Sequence, residues 1–339
     1  RANDTETLPR DYFDTIVLNS VVQYFPDRSY LLDVLDEAVD LLTPGGSLFI
    51  GDVRNLSLQG AFQTSVAIAR GSMDPNEIRE RAHRAMVNEA ELVLAPDFFT
   101  AWAAQRSGVV GLDIRVKRGS FDNELSRYRF DVIVHKGPKP VRSLATVPVW
   151  RWNQCMGIKG LHARLMSQRP GSIRISEIPC AGLFTDVQVE CAIAEGLPLN
   201  DASRQGANLT EHATAEQLHR LGEAEGYEVA VTLGPQPGTL DAVFVSVRDS
   251  GSGKAGPLTD AYLAQAGSCY RSSYANNPNT TKKVSALRKR LSARLPEYMV
   301  PAYIIALDEF PLNSSGKLDK RALPAPEYGG NVGEYRPPA

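Results

Sequence analysis

Lys317 stands in a short polar stretch, Asn313-Ser314-Ser315-Gly316-Lys317, with Leu318 and Asp319 after it. A Gly-Lys pair invites a phosphate-loop reading. That loop needs a glycine five positions earlier and a Ser or Thr after the lysine to hold magnesium. Position 311 is Pro and position 318 is Leu, so the requirement fails. Gly251-Ser252-Gly253-Lys254 fails in the same way, running into Ala255, and reads as a flexible connection. Taken alone, Lys317 is an exposed lysine in a turn. A second group lies near the start of the chain. Asn19, Ser20 and Val21 end one strand-like run, and Asp52, Val53 and Arg54 end the next. In a doubly wound sheet, ligands sit beyond the carboxyl ends of the strands, so the two groups can face one crevice. The plainer reading is that Asn19 and Asp52 cap the helices that follow.

The elements around these residues follow from pattern. Residues 14–22 are β-branched and nearly all apolar, as in a strand buried on both faces. Residues 27–42 place Leu31, Leu35, Ala38 and Leu42 at helical spacing, and Thr43-Pro44-Gly45-Gly46 is an expected stop. A strand at 47–53 and a helix from 57 to about 70 follow. Asp74, Pro75 and Glu77 predict the capped start of a helix running to about 94. Residues 109–119 and 126–137 predict an antiparallel strand pair. Beyond 157 the alternation resumes: helices near 158–168, 184–195 and 214–226, and strands at 172–178, 227–233 and 239–247. An amphipathic helix at 280–295, a last strand at 303–312 and an exposed tail close the chain. No internal repeat is visible.

Composition narrows the classes. The 339 residues are 43% hydrophobic and 22% charged, with a formal charge of −2, an ordinary globular balance. That charge gives no general attraction to nucleic acid or anionic membrane, and no apolar run has the length of a transmembrane helix. The basic residues Lys282, Lys283, Arg288, Lys289, Arg290 and Arg294 on the 280–295 helix form a solvated face or a docking surface for an acidic carrier protein. Cys155, Cys180, Cys191 and Cys269 have no C-x-x-C spacing and read as reduced and mostly packed, which fits a cytoplasmic chain. Five histidines lack metal spacing, so no metal site is expected. Arg1 and the polar opening read as the middle of a longer protein.

Three motifs, FDTIVLNSVVQYFP (13–26), LTPGGSLFIGDVR (42–54) and KRGSFDNELSRYRFDVIVH (117–135), resemble the second half of the S-adenosylmethionine-dependent N-methyltransferase domains embedded in nonribosomal peptide synthetases. The resemblance implies that Asn19, Ser20, Val21 and Tyr24 line the methyl-donor side. It implies that Asp52, Arg54, Asn123 and Glu124 border the acceptor amine, with Glu124 or Asp52 as candidate proton acceptors. The glycine-rich loop that would grip the donor occurs nowhere in the chain. Residues 295–324 resemble the end of the C-terminal subdomain of adenylation domains. This implies that Lys317 reaches an adenylate site formed elsewhere, with ATP and Mg2+ bound mainly by absent parts.

The expected fold is α/β: a partial doubly wound, methyltransferase-like sheet with an antiparallel edge, a second α/β segment and a small α+β piece. Expected domains are the methyltransferase half at 1–137, an accessory segment at 138–270, the adenylation end at 271–327 and a linker toward a carrier domain at 328–339. The implied parent activates an amino acid, loads it on a phosphopantetheine carrier and N-methylates it. Its partners are a peptidyl carrier domain, the amino acid and the rest of the synthetase. Two other readings stay open: a self-contained methyltransferase with a docking module, and a non-catalytic scaffold that binds carrier proteins.

Overall fold

Thr15, Ile16, Val17 and Leu18 are branched or apolar, favour extended backbone, and form strand β1 (Phe13–Asn19). The structure is a computed structural model that describes residues 2–207, 211–248, 256–264, 274–301, 304, 317–320 and 323. Helix α1 (Arg28–Leu41) starts at Asp27, whose carboxylate accepts the Tyr30 amide at 3.0 Å. It ends at Leu41, ahead of Pro44, because a proline disfavours helical backbone in the residue before it. Strand β2 (Leu42–Arg54) takes in the whole Thr43–Gly46 stop, and its pairing with β1 jumps from Phe13–Leu42 to Thr15–Ser47. The expected stop is therefore an irregular entry to the strand.

Helices α2 (Gln59–Ala69), α3 (Pro75–Val87) and α4 (Pro96–Ala103) follow. Asp74 caps α3 through the Asn76 amide, while Glu77 pairs with Arg81 in place of closing a capping box. The helix stops at Val87, short of 94. Leu92, Val93 and Leu94 are buried instead, and the Leu94 amide donates to the Arg54 carbonyl at 3.0 Å. Strand β3 (Val109–Val116), the short helix α5 (Glu124–Tyr128) and strand β4 (Arg129–Lys136) complete the first sheet. Its order is β1-β2-β4-β3, parallel at the first pair and antiparallel at the other two. Leu31 and Leu35 of α1 and Phe99 of α4 bury one face against Leu48, Ile50, Phe130 and Val132. The α/β class, the partial sheet and the antiparallel edge agree with the sequence. Burial of β1 on both faces does not: among the described residues β1 pairs only with β2, and Val17 is 58% exposed.

A two-residue strand β5 (Arg142–Ser143) leads to a second sheet built from β6 (Val149–Arg151), β7 (Ser172–Pro179), β8 (Tyr227–Leu233) and β9 (Thr239–Ser246). Between them lie α6 (Trp152–Cys155), α7 (Gly157–Gln168), α8 (Leu183–Ala194), α9 (Leu199–Ala207) and α10 (Ala215–Glu225). Strand β10 (Leu258–Thr259) pairs with β5, and α11 (Pro278–Ser292) follows. Leu287 and Leu295, on the apolar side expected for that last helix, are exposed. Apart from Ile304, the last strand expected near 303–312 lies outside the described residues, as does the tail.

The second sheet has the order β6-β7-β9-β8, again one parallel pair and then two antiparallel pairs. It is the first sheet repeated. The second strand of each carries a bulge, between Ile50 and Val53 and between Ile175 and Ile178. Each bulge holds a carboxylic residue in the left-handed region, Asp52 at φ 69° and Glu177 at φ 61°. Each of their amides donates to an aspartate on the last strand, Asp131 at 2.8 Å and Asp241 at 3.2 Å. Ala67-Ile68-Ala69-Arg70-Gly71 and Ala192-Ile193-Ala194-Glu195-Gly196 end the helices that follow, and both glycines have positive φ. The repeat has a topological signature and almost no sequence signature.

Candidate functional site

At the carboxyl end of β1 the backbone turns sharply at Ser20, φ 56°, and the Ser20 amide donates to the Gly51 carbonyl at 3.1 Å. A Cβ on Gly51 would run into the Asn19 side chain and the Phe49 ring, so a larger residue there would displace both. Asp52 lies next to Gly51, also with positive φ. Backbone in that region costs about 1–3 kcal/mol for a non-glycine residue and persists only where surroundings enforce it. Here the enforcement comes from the Asp131 carboxylate and a set of side chains on Asp52. Ser20 Oγ donates to Asp52 Oδ2 at 2.9 Å, Arg129 Nη1 reaches the same oxygen at 3.0 Å, and Lys117 Nζ lies 3.2 Å from Oδ1. Lys117 also donates to Asp131 at 2.9 Å, and Arg129 Nη2 to Glu124 at 3.0 Å.

Burial alone raises the Asp52 pKa, but hydrogen bonds from Ser20 and Lys117 and the Arg129 charge outweigh it. The net direction is down, so Asp52 is held as a carboxylate. Three carboxylates face two cations in this network, which leaves one formal negative charge at the strand ends. Among the described residues, Arg129 Nε and Gln23 Oε1 are buried without a hydrogen-bond partner. Gln23 is anchored through Nε2 to the Ser20 carbonyl at 3.0 Å and through its own carbonyl to the Leu92 amide.

The structure thus brings Asn19, Ser20, Asp52 and Glu124 together, and the capping alternative fails for Asn19 and Asp52. Asp27 caps α1, and Asn55 caps the turn after β2. Arg54 is turned elsewhere: its guanidinium pairs with Glu89 and Glu91 at 2.8 and 2.7 Å and lies over Phe62. Asn123 caps α5 through the Ser126 amide. Val21 and Tyr24 are exposed, as is Lys317, whereas Ser314, Ser315 and Gly316 lie outside the described residues. Lys117, Arg129 and Asp131 were not expected, whereas Gln23 falls within the 19–24 stretch that the resemblance placed on the donor side. The available signal was charge inside otherwise apolar strands, as in Arg129-Phe130-Asp131-Val132.

No family profile matches the chain. Curated proteins do. The probable non-canonical nonribosomal peptide synthetase CymA of Salinispora arenicola is 36% identical over 331 residues, covering 96% of this chain and 4% of that protein. The chain is homologous to a segment of nonribosomal peptide synthetases. Chondramide synthase of Chondromyces crocatus is 35% identical over 96% of the segment, and the bassianolide nonribosomal cyclodepsipeptide synthetase of Beauveria bassiana is 27% identical over 95%. The segment spans only 9% and 11% of those two proteins. A solved S-adenosylmethionine-dependent methyltransferase from Archaeoglobus fulgidus overlaps 40% of the segment at a TM-score of 0.26 and 11% identity, too slight to bear on function. Among the described residues, no helix is long and apolar enough to cross a membrane.

Proposed function

We propose that this synthetase segment carries the acceptor side and part of the donor side of an N-methyltransferase acting on a carrier-bound amino acid. The observation behind the proposal is the network at the ends of β1 and β2, where Ser20, Asp52, Lys117, Arg129, Asp131 and Glu124 converge. Bound S-adenosylmethionine supplies an electrophilic methyl group on a sulfonium. The surplus negative charge of the network suits that cation and an arriving ammonium alike. The unpartnered Gln23 Oε1 gives the donor side a buried acceptor beside Ser20.

The amine must lose a proton before it attacks, and positioning carries most of the remaining rate. Asp52 is a weak base because Ser20, Lys117 and Arg129 stabilise its charge; its work is to hold the strand ends. Glu124 has one cation and a half-exposed side chain, and is the better proton acceptor. In this reading Lys317 belongs to a second reaction. Its ammonium lies between an amino-acid carboxylate and the α-phosphate of ATP during adenylate formation, with Mg2+ and most contacts supplied by other domains. The phosphopantetheine carrier takes the amino acid from there.

The two functions separate by mutation in the full synthetase. Glu124→Gln should lower methyl transfer about 10²-fold or more and leave ATP–pyrophosphate exchange unchanged. Lys317→Ala should do the reverse when both variants are assayed for methyl transfer with the amino acid loaded on the carrier beforehand. Loss of both activities in either variant, or of neither, would refute the assignment.

A further inference from the structure

The two half-sheets are arranged as a dimer within one chain. In a two-fold dimer each surface meets its own counterpart, and that is the pattern here. Strand β3 meets β8, the equivalent edge strand, and helix α2 meets α8, the equivalent helix. Val116, at the end of β3, packs onto the second core, and Leu233, at the end of β8, packs onto the first. Ala67 and Ala192 share one small cluster between α2 and α8.

The repeats are unequal where the chemistry lies. The β3–β4 connection, residues 117–128, carries Asn123, Glu124 and α5, whereas the β8–β9 connection is only 234–238. Gly234 and Thr239 stand where the first repeat has Lys117 and Arg129, and Trp152 stands near the place of Ser20. Glu177 keeps the bulge and pairs with the exposed Arg151 at 3.3 Å. The second repeat has kept the frame and lost the crevice.

It has gained one residue in exchange. Asp186 on α8 stands where α2 has the buried Ala61, nine residues after each bulge carboxylate. Asp186 Oδ2 accepts from Tyr128 Oη at 2.7 Å and from Arg127 Nη1 at 2.8 Å, both on α5 of the other repeat. Tyr128 is buried among Leu58, Ala61, Leu183 and Val187, two residues from each repeat, and stacks edge-on against Phe62. Gly182, just before α8, has φ 76°, and a Cβ there would come within 2.6 Å of Arg127 Nη2. The next residue after Tyr128 is Arg129, which holds both Asp52 and Glu124.

We propose that the second half-sheet serves as a built-in dimer partner whose Asp186 positions the acceptor-side loop 117–128 of the first. Asp186 is a positioning residue, acting through Arg127 and Tyr128 on Glu124 and Arg129. The functional part of this inference rests on the methyltransferase reading. Hydrogen exchange on this chain and methyl transfer by the full synthetase test it together, with Asp186→Ala and the milder Tyr128→Phe as variants.

Losing hydrogen bonds to a charged partner should speed amide exchange in 117–128 about tenfold or more, while β7 and β9 exchange as before. In the synthetase, the KM for the carrier-bound acceptor should rise by a similar factor, with the KM for S-adenosylmethionine unchanged. Unchanged exchange in the loop would overturn the proposal. So would faster exchange spread over both sheets, or a loosened loop with unaltered acceptor KM. If Asp186→Ala fails to fold, Tyr128→Phe decides by the same readouts. An unmodified synthetase that transfers no methyl group would refute the methyltransferase reading instead, and loop exchange would still decide the pinning.

Discussion

Asp52 and His135 are both held deprotonated, one as an anion and one as a neutral ring, and give separable acid responses. Asp52 has a folded pKa below that of an ordinary carboxylate, ~3.9. Its stabilising contribution is therefore complete above that value and is lost as pH falls through the lower folded one. His135 is buried beside Lys139 and Arg115, and burial first, then those charges, lowers its pKa to about 4. Its neutral ring meets Ser47 Oγ at 2.9 Å through Nδ1. Stability from that neutral ring is present above the unfolded pKa, ~6.5, and declines as pH falls toward 4. Urea midpoints measured from pH 7 to 3 should fall in both windows. His135→Gln should flatten the upper window and Asp52→Asn the lower; a profile untouched by either change would contradict these environments. The meeting of Asn19, Ser20 and Asp52 was legible because the carboxyl ends of neighbouring parallel strands face one crevice. Arg54 misled because a strand-end arginine reads the same in sequence whether it faces a crevice or, as here, the carboxylates of a loop some 35 residues on. Lys117 and Arg129 were missed because register alone decides that they meet Asp52.

Elements were more legible than contacts. Every strand from β7 to β9 falls within a residue or two of its expected place, because short β-branched runs bounded by Gly and Pro have few alternatives. The overlong α3 is instructive. Helical pattern continues past Val87, yet burying Leu92, Val93 and Leu94 against the sheet outweighs local propensity. α4 went unseen because its eight residues, Pro96–Ala103, are apolar on most sides and show little period. Phe130 illustrates what such burial contributes. It is fully buried on β4 and meets Phe99 edge-on at 6.1 Å. Phe130→Ala should cost about 3–5 kcal/mol in chemical denaturation, and a loss under 1 kcal/mol would contradict the packing.

At the scale of the molecule, the repeat was hidden because topology, bulge and helix end recur while side chains do not. The Ala-Ile-Ala-x-Gly pair was the one trace in the sequence. Exchange of Val116 and Leu233 between the two cores couples the sheets. Trp102 in the first core and Trp152 in the second should therefore report one shared unfolding transition in single-tryptophan variants, and two separated midpoints would contradict the coupling. Among the described residues the outer edge of β1 is unpaired, with Val17 exposed. In the proposed function the ends of β1 and β2 form one methyl-transfer site. The most direct test of that proposal is transfer of labelled methyl from S-adenosylmethionine to the carrier-bound amino acid in the full synthetase, comparing the unmodified protein with Asp52→Asn. Methyl transfer reduced about 10²-fold or more, with pyrophosphate exchange intact, is the predicted result. Undiminished methyl transfer would contradict the account.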